Sequence, residues 1–178
     1  YGLPHQTEAG VAAPVAQALA ISPDRVAVFG YAHVPWMKKH QNLLPAAALP
    51  DAAARFAQRA AAEAAILAQG WRAVGLDHYA RPDDALARSA AASTLRRNFQ
   101  GYTTDAAPVL LGIGASSIGA LPQGYAQNEA ATPAWRDAVR AGRLPVRRGV
   151  ALGAEDRLRR AVIERLMCDG MVDLDAVA

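Results

Sequence analysis

The chain has only one cysteine, Cys168, among 178 residues. A single thiol excludes an internal disulfide and any metal or cluster site built from several cysteines of this chain. The scarcity of cysteine favours a reducing, cytoplasmic setting. No run of about 18 apolar residues occurs, and no secretory signal pattern opens the chain, so we expect no membrane insertion.

Aromatic residues are also scarce, at 6%, although 52% of the chain is hydrophobic. Much of that fraction is alanine, which favours helix but buries little area per residue. The formal charge of +3 is too small and too unpatterned to indicate a nucleic-acid partner. A small molecule that carries carboxylates fits this mild excess of positive charge equally well.

Helical and strand-like segments alternate through the first two thirds of the chain. Asp51 is placed to cap a helix that Gly70 ends, and we expect Phe56 and Leu67 on its buried face, with Ala60 and Ala64 between them. The remaining segments are helices at 7–20 and 83–93, strand-like runs at 25–31 and 71–79, and an apolar strand or turn-rich run at 109–118. The alternation predicts an α/β fold with right-handed crossovers on a mainly parallel sheet. His33, Asp77-His78 and Ser116-Ser117 would then lie near the functional ends of the strands.

The pattern changes after Pro133. A short helix is predicted at 134–141, a connection at 144–152, and a further helix whose apolar stripe has a spacing of three and four residues. The stripe consists of Leu158, Ala161, Val162 and Leu166. We therefore expect two domains, one over 1–130 and a second, helical one that begins in 131–178 and is truncated.

The glycine-rich run Gly112–Gly119 is a weak candidate for a nucleotide or carboxylate cradle. Glycine lets a ligand approach the backbone closely, but Ser117 occupies the position where a dinucleotide fingerprint has its third glycine. No Gly-Lys-Ser or Gly-Lys-Thr follows. A strand with close-packed glycines is the favoured interpretation.

The titratable residues do not form a recognisable catalytic or metal motif. Asp77-His78 supplies two candidate groups where a metal site needs three or four ligands, and the other histidines are dispersed. Asp83-Asp84 is better explained as the capped start of a helix than as a catalytic pair. We therefore predict no metal site and assign no catalytic acid or base.

Arginine is abundant in the last third of the chain, interrupted by acidic residues. Most of these guanidinium groups are expected at the solvent-exposed surface or in ion pairs, although part of the set could meet an acidic substrate through the planar fork of arginine. The set comprises Arg136, Arg140, Arg143, Arg147, Arg148, Arg157, Arg159, Arg160 and Arg165.

The segment Arg96–Thr104 places two arginines, an asparagine, two aromatics and a glycine between apolar runs, a composition typical of a binding loop. Together with other ordered motifs, it resembles oxygen-independent coproporphyrinogen III oxidases, a radical S-adenosylmethionine family. The other motifs are Tyr1–Thr7, Tyr31–Pro35, Asp77–Asp84, Leu110–Ile118, Tyr125–Asn128 and Arg159–Ile163.

The resemblance implies a fold and a reaction. Residues 1–130 would be the C-terminal part of a partial, TIM-like parallel α/β barrel, followed by the start of a helical domain. The family converts two propionates of coproporphyrinogen III to vinyl groups, giving protoporphyrinogen IX, and uses a 4Fe-4S cluster, S-adenosylmethionine and an electron donor. Its Cys-x3-Cys-x2-Cys motif is missing here, so we expect this chain to be inactive without a preceding part of the same polypeptide.

The resemblance also implies site residues. Ala32 and Ile118 correspond to contacts of a second S-adenosylmethionine, and Phe99 and Gln100 to a loop that contacts cofactor or substrate. Two alternatives stay open. The chain could come from a noncatalytic haem- or tetrapyrrole-binding relative, or it could be a self-sufficient α/β interaction domain.

Overall fold

The computed structural model describes residues 1–177. The chain divides into two compact units, which meet in sequence between Thr94 and Leu95. Both helices and strands are present in each unit, so the predicted mixed α/β class is confirmed. No helix in the described part of the chain is both long and apolar enough to cross a membrane.

The first unit contains three α-helices, three short strands and two 3-10 turns. The turns span Lys39–Leu43 and Ala46–Ala48. The α-helices are α1 (Glu8–Ala20), α2 (Ala52–Leu67) and α3 (Ala85–Ala91), and the strands are β1 (Arg25–Ala27), β2 (Arg72–Val74) and β3 (His78–Ala80).

Side-chain caps define where these helices begin, because the first N–H groups of a helix lack partners inside it. Thr7 Oγ1 accepts from Gly10 N at 3.1 Å before α1. Asp51 Oδ1 accepts from Ala54 N at 2.8 Å before α2, and Asp84 Oδ1 accepts from Leu86 N at 2.7 Å before α3. The predicted caps at Asp51 and within Asp83-Asp84 are confirmed.

The sheet of the first unit differs from the parallel sheet that we expected. Its order is β1-β3-β2, and both pairs are antiparallel. The cause lies at Gly75, whose φ of +61° begins a turn that reverses the chain inside the predicted strand 71–79. Val74 therefore pairs with His78, and a hairpin replaces the single strand.

A second type of pairing occurs at Tyr1. The amino group of Tyr1 donates to Phe29 O at 2.8 Å, and Tyr31 N donates to Tyr1 O at 2.7 Å. In parallel strands, the N–H and the C=O of one residue bond to the two residues that flank its neighbour on the other strand. The backbone around Gly30 therefore has a parallel neighbour in Tyr1.

The buried face of α2 is not the predicted one. Phe56 is 69% exposed, and the buried positions are Gln58, Ala62 and Ile66. Alanine occurs on every face of this helix, so apolar spacing did not identify the side that packs against α1. Gln58 is buried because its side chain bonds the backbone of Gly2 and Gln6.

The second unit contains a hairpin, a three-stranded antiparallel sheet of order β6-β7-β8 and two helices. Its elements are β4 (Arg96–Asn98), β5 (Gly101–Thr103), β6 (Ile118–Leu121), β7 (Gly124–Asn128), α4 (Thr132–Arg140), β8 (Val146–Ala151) and α5 (Ala154–Asp169). Both predicted helices are present.

The segment 109–118, expected to be a strand or a turn-rich run, is turn-rich until β6 begins at Ile118, because Gly114 and Ser116 have φ values of +103° and +61° that interrupt a strand. The predicted connection 144–152 contains β8, an exposed strand along β7. The sequence of β8 lacks the alternation of apolar and polar residues by which a half-buried strand is recognised.

Helix α5 packs on the β4–β5 hairpin. Tyr102 donates from its hydroxyl to Met167 O at 2.9 Å, and Arg165 Nη2 donates to Leu95 O at 2.7 Å. The predicted stripe on α5 is only partly covered, since Leu158 and Leu166 remain 42% and 45% exposed.

The Asp84 carboxylate should stabilise the first unit at neutral pH. Its Oδ atoms accept from Arg25 Nε at 3.1 and 3.0 Å. Burial alone would raise the pKa of Asp84, but the bonds from Arg25 and Leu86 outweigh it and lower that pKa. We expect Asp84→Ala to cost about 1–2 kcal/mol of unfolding free energy in urea titrations at pH 7.

Because the pKa of Asp84 is depressed in the folded state, its contribution is present above the ordinary carboxyl pKa and disappears as pH falls through the folded value. The difference between wild type and Asp84→Ala should therefore shrink in acid. Asp83→Ala is the control, since Asp83 is 79% exposed. A cost of Asp84→Ala that equals the cost of Asp83→Ala would contradict the assigned role.

Gln58 should be far more important for stability than an exposed glutamine. It is 1% exposed, accepts from Gly2 N at 2.9 Å and donates to Gln6 O at 2.6 Å. Gln58→Leu leaves both backbone groups without their partner, so we expect a loss of about 2–3 kcal/mol in chemical denaturation. Gln17→Leu on the exposed side of α1 should change stability by less than about 0.5 kcal/mol.

Candidate functional site

Phe99 and Gln100 form the two-residue turn between β4 and β5. Asn98 Oδ1 accepts from Gln100 N at 2.7 Å, and Gly101 closes the turn with a φ of +124°. Both turn side chains are exposed, Phe99 by 49%. The side-chain amide of Gln100 makes no hydrogen bond within residues 1–177, so its donor and acceptor are available to a ligand.

A groove of about 380 Å³ runs between the Phe99 turn, the β6–β7 strands and α5. Phe99 and Tyr125 meet edge to face in it, with ring centroids 4.9 Å apart and planes at 89°. Arg97, Arg159 and Arg160 contribute guanidinium groups to the same groove. The groove therefore combines an aromatic wall with positive charge, which suits a ligand that carries a flat ring and carboxylates.

Ala32 lies in an exposed loop after β1 whose backbone is held by Gln41. Gln41 Nε2 donates to Ala32 O at 3.0 Å, and Gln41 Oε1 accepts from Val34 N at 2.6 Å. Arg55 fixes the preceding residue, with Nη1 donating to Tyr31 O at 2.9 Å. The Ala32 carbonyl is thus occupied, while its N–H has no partner within residues 1–177.

Ile118 opens β6 at the end of the glycine-rich run. Asn128 Nδ2 donates to Gly112 O and Gly114 O, both at 3.0 Å, and Ser117 Oγ donates to Ile113 O at 2.6 Å. A Cβ added at Gly112 would lie 2.8 Å from the Ile118 carbonyl carbon. The close packing of glycine that we predicted is confirmed, although the run before Ile118 is a loop rather than a strand.

Asp77 and His78 are in direct contact, with Oδ1 and Nδ1 2.7 Å apart. The His78 ring also meets Phe29 edge to face at 5.8 Å. Tyr31 and His33 form a separate contact at 3.3 Å. No group of three or more potential metal ligands occurs among residues 1–177.

Cys168 is buried in α5, and burial raises the pKa of its thiol. A raised pKa disfavours the thiolate that a metal or cluster requires. One buried thiol also cannot replace the three that the resemblance implies. The residues of this chain therefore do not fit an iron–sulfur cluster.

Sequence reasoning missed two residues that shape these sites. Gln41 anchors the Ala32 loop, but a lone glutamine carries no sequence signal. Tyr125 forms a wall of the groove beside Phe99. Its place at the start of the motif Tyr125–Asn128 was a signal, although nothing in the sequence showed that it would meet the Phe99 turn.

The chain matches no protein-family model. It is similar along nearly its whole length to enzymes named oxygen-independent coproporphyrinogen III oxidase. The relative from Paracoccus denitrificans is 55% identical over 95% of this chain, and that from Bradyrhizobium diazoefficiens is 52% identical over 98%. The chain spans only 38% and 39% of the lengths of these two relatives.

A solved structure extends the similarity to the fold. It is the coproporphyrinogen III oxidase (HemN) from Escherichia coli, described as a radical SAM enzyme, and it matches with a TM-score of 0.89 and 36% identity. The match covers 99% of this chain and 41% of that chain. The chain thus has the fold of a segment of a radical S-adenosylmethionine enzyme. It is a homologue of the oxygen-independent coproporphyrinogen III oxidases, which confirms the resemblance found in the sequence.

Gly112 should be intolerant of a side chain, because an added Cβ meets backbone atoms of Ile118 and Gly119 at 2.8 and 2.9 Å. We expect Gly112→Ala to cost about 1–3 kcal/mol through a backbone shift and to expose the Ala120 amide, which bonds Leu110 O at 2.8 Å. Hydrogen exchange at Ala120 measures the shift. Gly153→Ala, at a φ of −75° and with its added Cβ 3.5 Å from Asp156 Oδ2, should leave that amide protected.

Proposed function

We propose that this chain is part of an oxygen-independent coproporphyrinogen III oxidase. In the complete protein, the reaction would be the oxidative decarboxylation of two propionates of coproporphyrinogen III to vinyl groups, giving protoporphyrinogen IX. The similarity over 95% and 98% of this chain to two enzymes of that name carries the proposal. The groove beside Phe99 adds support, since its aromatic wall and arginines suit a tetrapyrrole with carboxylates.

We infer further that residues 1–130 belong to the C-terminal part of a partial, TIM-like α/β barrel and that 131–178 begin a helical domain. The parallel hydrogen bonds that Tyr1 makes with Phe29 and Tyr31 support the barrel.

The proposed cofactors are S-adenosylmethionine and a 4Fe-4S cluster, with an electron donor as partner. When bound, such a cluster would provide the electron for reductive cleavage of S-adenosylmethionine. Its ligands would come from the part of the polypeptide outside this chain, because Cys168 is single and buried. A reducing, cytoplasmic location is part of the proposal, since thiolate ligands persist in reducing compartments.

The residues of this chain would bind and orient rather than transfer protons. Ala32 offers an N–H donor and little bulk, and Ile118 offers an apolar side chain that is partly exposed. Phe99 presents an aromatic face, and Gln100 presents an amide that can both donate and accept. Such contacts hold a substrate C–H bond near the radical and keep water away from it.

Gln100→Ala in the full-length protein should reduce turnover or the retention of S-adenosylmethionine by about tenfold, because it removes both hydrogen bonds of an exposed amide. Turnover is measured with coproporphyrinogen III under anaerobic conditions. Retention of S-adenosylmethionine is measured separately by equilibrium dialysis, so that binding and chemistry are distinguished.

The matched control is Gln123→Ala, which removes an exposed glutamine from the β6–β7 turn. It should leave turnover and retention within twofold of wild type. Unchanged values for Gln100→Ala would contradict the role of the loop. A full-length protein that binds the porphyrin but holds no iron–sulfur cluster would favour the noncatalytic tetrapyrrole-binding alternative.

A further inference from the structure

Two arginines of the groove rest on tyrosine rings. The Arg97 guanidinium carbon lies 5.5 Å from the centroid of Tyr102, and that of Arg160 lies 5.6 Å from the centroid of Tyr125. Cation–π contacts of this kind restrain a flexible side chain without neutralising its charge. Both guanidinium groups are thus pre-oriented and keep their hydrogen-bond donors.

These two arginines differ from their neighbours in having no acidic partner. Arg96 pairs with Glu164 at 3.7 Å, Arg159 with Glu155 at 2.5 Å, and Arg165 with Asp169 at 2.8 Å. Neither Arg97 nor Arg160 makes an ion pair with any residue of the described chain. Their positive charges are available to a ligand.

The acidic residues of the groove are already engaged. Glu164 pairs with Arg96 and accepts from Arg97 N at 3.3 Å, and Asp156 accepts from Gly153 N at 2.9 Å. The lining contains three arginines and two carboxylates, so one positive charge is in excess. This balance favours an anionic ligand.

The surroundings of the pair indicate what kind of anion fits. Arg97 and Arg160 also line a smaller, adjacent cavity of about 200 Å³, so they lie where an aromatic-walled space and a polar space meet. A ligand with an apolar ring and a carboxylate on a short arm matches this arrangement. The Phe99–Tyr125 wall would contact the ring.

We propose that Arg97 and Arg160 form a carboxylate subsite that binds one propionate of the tetrapyrrole substrate, while the wall formed by Phe99 and Tyr125 contacts the pyrrole that carries it. The subsite rests on the proposed function. Its arginines position the substrate and take no part in the chemistry, because guanidinium groups do not release protons in proteins.

The test uses the full-length protein and two probes, coproporphyrin III and its tetramethyl ester, titrated by porphyrin fluorescence in the absence of turnover. The ester has the same ring but no charged carboxylates. Wild type should bind the free acid more tightly than the ester. Arg160→Gln and Arg97→Gln should each weaken binding of the acid about tenfold and leave binding of the ester within twofold.

Arg147→Gln is the matched control, because Arg147 is exposed on β8 and lines neither cavity. It should bind both probes as wild type does. Arg160→Lys keeps the charge and loses the two-donor fork, so it should weaken binding of the acid by about threefold. This variant also serves if Arg160→Gln proves unstable to thermal unfolding.

Three outcomes separate the claims. Selective loss of the free acid in the Arg97 and Arg160 variants supports the subsite. Equal binding of acid and ester by wild type, or variants that bind the acid as wild type does, overturns the subsite and leaves the proposed function standing. A wild-type protein that binds neither probe overturns the subsite, and the proposed function is contradicted as well only if that protein also fails to convert coproporphyrinogen III under anaerobic conditions.

Discussion

The groove of the second unit depends on the contact of Tyr125 with Phe99. Tyr125 lies on β7 and Phe99 on the β4–β5 turn, so their edge-to-face contact at 4.9 Å joins the hairpin to the three-stranded sheet. Arg160 approaches the same ring from α5. One tyrosine therefore brings together an aromatic wall and a cation from three separate elements.

A different interaction organises the loops of the first unit. Gln41 and Gln58 are buried glutamines whose amides bond loop backbone, Gln41 at Ala32 and Val34 and Gln58 at Gly2 and Gln6. A buried amide is stable only when its donor and acceptor are satisfied, so each glutamine specifies one loop position. Because alanine packs similarly on any face of a helix, the alanine-rich core does little to fix how the loops and helices fit together. These polar contacts therefore do much of it.

Predictions that depend only on residues close together in the sequence, such as helix caps, were confirmed. A cap such as Asp51 needs only the first turn of its helix, and a single cysteine excludes a cluster wherever it lies in the fold. The prediction of a parallel sheet was wrong because Gly75 has a positive φ inside a segment whose apolar residues indicate a single strand. The prediction for the buried face of α2 was wrong because a polar residue, Gln58, packs inward together with Ala62 and Ile66.

The amino-acid sequence by itself determined the mixed α/β class, the helix starts and the resemblance to coproporphyrinogen III oxidases, since capping, periodicity and ordered motifs are short-range properties. The sequence also placed Phe99 and Gln100 in a loop, but it did not show which of the many arginines could bind a ligand. Only the tertiary structure decided that Arg97 and Arg160 share a groove with Phe99 and lack acidic partners. Arg160 lies about 60 residues along the chain from Arg97 and Phe99, and contacts between such distant residues leave no periodic pattern in a sequence.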